Sequence, residues 1–185
     1  MLPRRSGPTR RGVAAVELAV VFLFFMVPMM LGVWEIGRLV HVQQIVSNSA
    51  REGARMASQG YTIGSNGGVT QIYASSASGG YTAGSPTVKD TVYNYLIAAG
   101  LSGLAPGDVT TTFTFTSATA AGAIPPDPYL GEKNQTFTVK VSVPWNKVRW
   151  VNLGFLPQNS QVEFTVTWRM LVDDAFSVNA TLPTW

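Results

Sequence analysis

The sequence predicts an α+β protein: a long N-terminal helix, membrane-spanning in its first half, then a small head with one short helix and a three-stranded antiparallel sheet. Three observations carry that prediction. After a basic start, no residue from Leu18 to Trp34 is charged. Apolar residues then recur every three or four positions as far as Met56, the period of an amphipathic helix. Later, three stretches alternate apolar and polar residues, the period of half-buried strands.

Residues 1–12 read as a basic leader. Arg4, Arg5, Arg10 and Arg11 stand there with no acid, and without them the net charge of +3 becomes −1. The pI of about 9.4 therefore belongs to the leader, and no basic face remains to follow a nucleic-acid backbone. Arginines ahead of an apolar run also set topology: the N-terminus stays cytoplasmic and the rest crosses the membrane. The run ends in Trp34-Glu35 and continues as helix, so it reads as an anchor and not as a cleaved secretory signal.

The helix is expected over 13–58, with 13–34 spanning and 35–58 amphipathic, about 69 Å of rod. An apolar span needs roughly 20 residues to cross a hydrocarbon core of about 30 Å. Glu17 sits just inside its start. An acid at a bilayer centre costs about 2.5–3.5 kcal/mol, and less toward the interface. A cut after Gly12 would make Val13 the N-terminus, with a largely cationic amine of pKa about 7.7–8.0. That amine lies one turn from Glu17, and Glu17 can pair with it or with the amine of a neighbouring copy. The alternative is an uncut anchor with Glu17 in the headgroup layer.

Pro28 lies within the anchor and should kink it, with Gly32 and Gly37 weakening it further. Leu39, Val42, Val46, Ser49, Gly53 and Met56 form the amphipathic face. Glu35 and Arg38 are spaced as an i,i+3 pair worth about 0.2–0.5 kcal/mol. Arg51, Glu52 and Arg55 stand on the opposite side, as a solvated face or as a site that holds a partner subunit or the head. Gly53 between them permits close approach of another backbone. His41, the single histidine, is read as exposed or interfacial.

Arg11-Gly12 followed by Val-Ala-Ala-Val-Glu17 resembles the processing site of a type IV prepilin or pseudopilin. With Ile36-Gly37-Arg38-Leu39 and Ser49-Ala50-Arg51-Glu52-Gly53-Ala54-Arg55, the stretch from Arg10 to Met56 resembles the TadE/TadG family, the pseudopilin-like proteins of tight-adherence (Flp) pilus systems. After the glutamate this chain has Leu18, where the family tends to carry an aromatic. The resemblance implies a pilin-like structural protein cut between Gly12 and Val13 by a prepilin peptidase. It implies assembly through the N-terminal helix and Glu17, with other pilin subunits and inner-membrane pilus machinery as partners. The expected location is the bacterial inner membrane, single-pass, with residues 59–185 as a periplasmic or extracellular head. The length favours a minor subunit, since major subunits of such pili are typically very short. The alternative is an uncleaved, membrane-tethered binding or scaffold domain.

In the head, Gly60–Ser85 is rich in Gly, Ser, Thr and Tyr and reads as a surface loop with a turn of helix near Val69–Ser76. Tyr61, Tyr73 and Tyr81 are read as loop packing, with partner contacts as the alternative. Ser85-Pro86 offers a cap and a first helical proline, so a helix is expected over Pro86–Ala99 and Gly100 stops it. Val88, Val92, Tyr95, Leu96 and Ala99 make its inner face. The strands are expected at Val109–Ser117, Thr136–Val143 and Gln161–Val172. Ala118–Asn134 is a loop. Trp145, Trp150, Leu153, Phe155 and Leu156 are read as core cover, with a subunit interface as the alternative. The tail from Asp173 is read as loosely packed.

Catalytic chemistry has little footing. With no cysteine and a single helical histidine, nucleophile–base arrangements of Ser-His or Cys-His type have no base in place. No phosphate loop precedes a helix, and no zinc spacing is present. Asp127 with Glu132, or Asp173 with Asp174, falls short of the six or more oxygens calcium takes. No catalytic residue, metal or cofactor is expected. An exported head without disulfides must rely on its core.

Overall fold

The computed structural model describes residues 11–63, 67–120, 122–150, 157 and 159–172. Helix begins with α1 (Arg11–Val21), continues through a π-helical turn (Phe22–Met26) and runs on as α2 (Val27–Gln59). Together they form one rod with no break. The proline explains the wide turn. Pro28 has no N–H, and its ring crowds the carbonyl four residues back, that of Phe24. Just before it, the Val27 N–H donates to the Phe22 carbonyl, five residues back. The helix therefore widens into a π-turn just ahead of Pro28. Gly60 ends the rod with φ of 67°, where its N–H returns to the Ala57 carbonyl at 3.1 Å. A residue with a side chain would be strained there.

The stretch after the rod is more ordered than its composition suggests. β1 (Tyr61–Ile63) and β2 (Val69–Gln71) pair antiparallel as a small hairpin, so the turn of helix expected at Val69–Ser76 is corrected to a strand. Both segments hold a β-branched threonine and a further β-former, which suit a pleated pair. The short helix also starts later than expected. α3 spans Val88–Ala98, and its cap is Thr87, whose Oγ1 accepts the Asp90 N–H at 3.0 Å. Ser85-Pro86 does not serve because the backbone there is already engaged. The Pro86 carbonyl accepts the Tyr73 N–H, and the Tyr73 carbonyl accepts the Val88 N–H. That bridge holds Thr87 extended, and helix begins only beyond it.

The main sheet has the order β3 (Thr110–Phe115), β4 (Thr136–Pro144), β5 (Gln161–Arg169), all antiparallel. Register sets Phe115, Phe137 and Trp168 in one row and Phe113, Val139 and Val166 in the next. These rows lie on the face that packs against α2 and α3. The result is two layers, helices on sheet, with Val42, Val46, Val92, Leu96, Phe137 and Val139 at the centre, all fully buried. The chain after β5 ties back to the rod: the Leu171 N–H donates to the Ser58 carbonyl at 2.7 Å.

Two connections also gain structure. Within Ala118–Asn134 lies a 3-10 turn at Pro128–Leu130. Buried Asp127 precedes it and accepts the Ala74 N–H through Oδ1 at 2.8 Å, so this carboxylate ties two loops together. One turn of helix, α4 (Trp145–Val148), follows β4 directly. The expectations for leader residues 1–10, for Leu153, Phe155 and Leu156, and for the tail from Asp173 lie outside the described residues.

Candidate functional site

The rod divides by what surrounds it. From Gly12 to Val33 side chains point outward on every side, and none is buried. Val13, Leu18, Phe24, Phe25 and Met29 are each more than half exposed. Apolar area on this scale marks a surface that another phase or partner covers. By length and composition the helix is apolar enough to cross a membrane. Gly12 has open space where a Cβ would be, so nothing within the described chain shields the Gly12–Val13 bond. Glu17 is exposed, and no described residue hydrogen-bonds or pairs with it.

The lower half of the rod is embedded in the head. Gly53 is the point of closest approach: a Cβ there would stand 2.6 Å from Val92 Cγ2 and 3.4 Å from Val88 Cγ1. The backbone that Gly53 admits is thus α3 of its own head. Ala50, Ala54 and Ala57 keep the same face small. Ser49 and Ser58 are buried on it as well, each hydroxyl donating to the carbonyl three residues back.

Arg51, Glu52 and Arg55 ring the solvent side. Arg55 and Glu52 form a two-pronged pair, at 2.6 Å between Nη2 and Oε1 and 3.0 Å between Nε and Oε2. The hydrogen bonds from Arg55 hold the Glu52 carboxyl below its usual range. Arg51 lines a separate groove of about 630 Å³ between α2 and β5, with Gln44, Asn48, Glu163 and Phe164. Lys140 meets Glu163 at 2.8 Å beside it, and this hydrogen bond lowers the Glu163 carboxyl as well. The four residues singled out in the sequence are therefore not one site. Gly53 is internal packing, Glu52 and Arg55 are a surface pair, and Arg51 faces a groove.

A cluster that the sequence reading did not assemble lies where the apolar half of the helix meets the head. Arg38 does not pair with Glu35, contrary to expectation. Its Nε donates to the Val148 carbonyl at 3.0 Å, and its guanidinium lies 4.6 Å over the Trp150 ring. Trp150 meets Trp34 edge to face at 6.0 Å. Trp145 is core, 1% exposed, as expected, whereas Trp150 is 66% exposed and is not. Glu35 and the three tryptophans line one small cavity with Leu31 and Arg38. The available signal was Trp34-x-x-x-Arg38 on one helical face, with one tryptophan opening α4 and another two residues after it. Nothing in the sequence says that they meet.

His41 is exposed on α2, as expected. Tyr73 is buried between Tyr81 and Tyr129, with ring centroids at 5.4 and 5.0 Å, which is loop packing. Burial, followed by the charges of Tyr73, Asp127 and Tyr61, raises the pKa of Tyr129. Among the described residues no group of three or more His, Asp or Glu side chains is placed to hold a metal ion.

Comparison with curated proteins and with solved structures finds no match to this chain. The family comparison does. Its match begins at the glycine before Val13, takes in Glu17 and the exposed apolar half, and ends within the Arg51–Arg55 segment. Residues 12–55 of this chain, about a quarter of its length, match the family described as TadE-like protein, and that segment is similar to it.

Proposed function

We propose that this chain is a pseudopilin or minor pilin-like structural protein of a tight-adherence pilus, with residues 59–185 as its extracytoplasmic head. One observation carries the reading: an apolar half-helix on which no side chain is buried, with a carboxylate at Glu17 near its start that pairs with no described residue. Such an element is completed by lipid before assembly and by neighbouring helices after it. Prepilin peptidase cuts between Gly12 and Val13. The new amine of one subunit then pairs with Glu17 of the next, offsetting the cost of desolvating both and setting axial register. The π-turn at Phe22–Met26 lies within this packing surface. No catalysis is involved, and the work of the chain is membrane storage followed by assembly.

The test is intact mass and N-terminal peptide mapping of protein recovered from membranes, beside Gly12→Ala. A chain starting at Val13, lost in the variant, is the expected result. Glu17→Ala should abolish incorporation into pili while membrane insertion persists. Normal assembly of that variant would defeat the pairing mechanism.

A second reading is an uncut, tethered binding domain. The groove between α2 and β5, lined by Arg51 and Glu163, favours it. A chain that keeps residues 1–12 in cells with an active peptidase would select it.

A further inference from the structure

Trp34 closes the uncharged run, and Trp150 belongs to the head, just after α4. The two indoles touch at 6.0 Å, yet each stays open, 54% and 66% exposed. Their contact is not casual. Arg38, one helical turn beyond Trp34, covers the Trp150 ring and donates to the Val148 carbonyl. Trp145, anchored in the core, fills in beneath. Whatever depth Trp34 takes, Trp150 takes too.

Helical rise gives that depth. Glu17 to Trp34 covers about 26 Å of rod, close to the hydrocarbon thickness of roughly 30 Å. With Glu17 at one face of the bilayer, Trp34 falls at the other, in the layer where amphipathic indoles concentrate. We propose that Trp34 and Trp150 form a paired collar that seats the head in the interfacial layer of a phospholipid bilayer. Arg38, about 6 Å further along the rod, lies level with the lipid phosphates and carries its charge there. The head is then docked on the membrane and does not swing on a free stalk. Assembly must lift the collar out of lipid together with the anchor. This inference rests on the membrane-anchor reading, and the test separates the two.

The chain has no cysteine, so single reporters are clean. Val33→Cys, Trp150→Cys and Ile63→Cys, each in the full chain, are labelled with an environment-sensitive fluorophore. They are reconstituted in phosphatidylethanolamine–phosphatidylglycerol vesicles carrying nitroxide near the headgroup. Ile63 follows the end of the rod at Gln59, which stands about 37 Å from Trp34 by helical rise. Positions 33 and 150 should be quenched several-fold more than position 63. Quenching at 33 with none at 150 would overturn the collar and leave the anchor standing. No quenching at 33 would remove the anchor and the collar together. Asn146→Cys, which leaves both indoles in place, guards against a misfolded Trp150 variant. Its quenching should drop several-fold when Trp150→Ser is added, with the near-ultraviolet spectrum of the head retained. No drop would overturn the collar.

Discussion

The two halves of the rod share one backbone and differ in everything that surrounds it. From Val13 to Val33 most side chains are large and apolar, and none is buried. From Val42 to Ser58 one face is small and fully packed, Val46, Ala50, Gly53, Ala54 and Ala57 against α3 and the sheet. Bulky side chains on every face suit an environment without fixed partners, such as lipid. Small residues on one face suit a fixed neighbour that must come close. Apolar content alone does not separate the two; side-chain size and its distribution around the axis do.

The largest effect should come from opening the packed region. Phe137 is fully buried, with Phe113 at 5.2 Å and Phe115 at 6.1 Å between ring centroids. Phe137→Ala should lower the stability of the head by about 3–5 kcal/mol, read by urea unfolding in detergent. Phe24→Ala, the same change in the bare half, should move that transition by no more than about 0.5 kcal/mol. Equal losses would mean that the halves are not distinct.

Gly53→Val comes next. Its side chain has to displace Val92 from a distance of 2.6 Å, and overpacking of this kind costs about 1–3 kcal/mol. Gly12→Val meets open space and should leave the same transition unchanged.

The smallest effect belongs to the surface pair. Arg55→Ala should shift the unfolding transition only slightly, since an exposed pair is screened by solvent. Its pH dependence has a definite sign. The Glu52 carboxyl is lowered in the folded state by Arg55. Its contribution is therefore present above the unfolded value near 4.3 and is lost as pH falls through the folded value. The difference between wild type and variant should close below about pH 4 and shrink in high salt. A difference that persisted in acid would assign the loss to packing of the Arg55 stem.

Much of this was legible in one dimension. An uncharged run, then a helical period, then three alternating stretches signal rod, amphipathic half and sheet, because each follows from a local repeat. Gly53 stood out as a close-approach position for the same reason. Short or competing signals were misread. The three-residue strands β1 and β2 are hidden among glycines and serines, since each is stable only through the other. Ser85-Pro86 carries a proper start signal, but hydrogen bonds to Tyr73 take its backbone first.

By itself the sequence determined the long apolar run, the lone acid at Glu17, the glycine before Val13 and the periodicities of the head. Each depends on residue type and near neighbours along the chain. Tertiary structure alone decided that Arg38 turns from Glu35, three positions away, to the Val148 carbonyl, 110 residues on. It also decided that Trp150 stands beside Trp34 and that the neighbour of Gly53 is the chain's own α3. An exposed i,i+3 pair contributes only a few tenths of a kcal/mol, too little to compete with a stacked indole and a carbonyl brought up by the folded head.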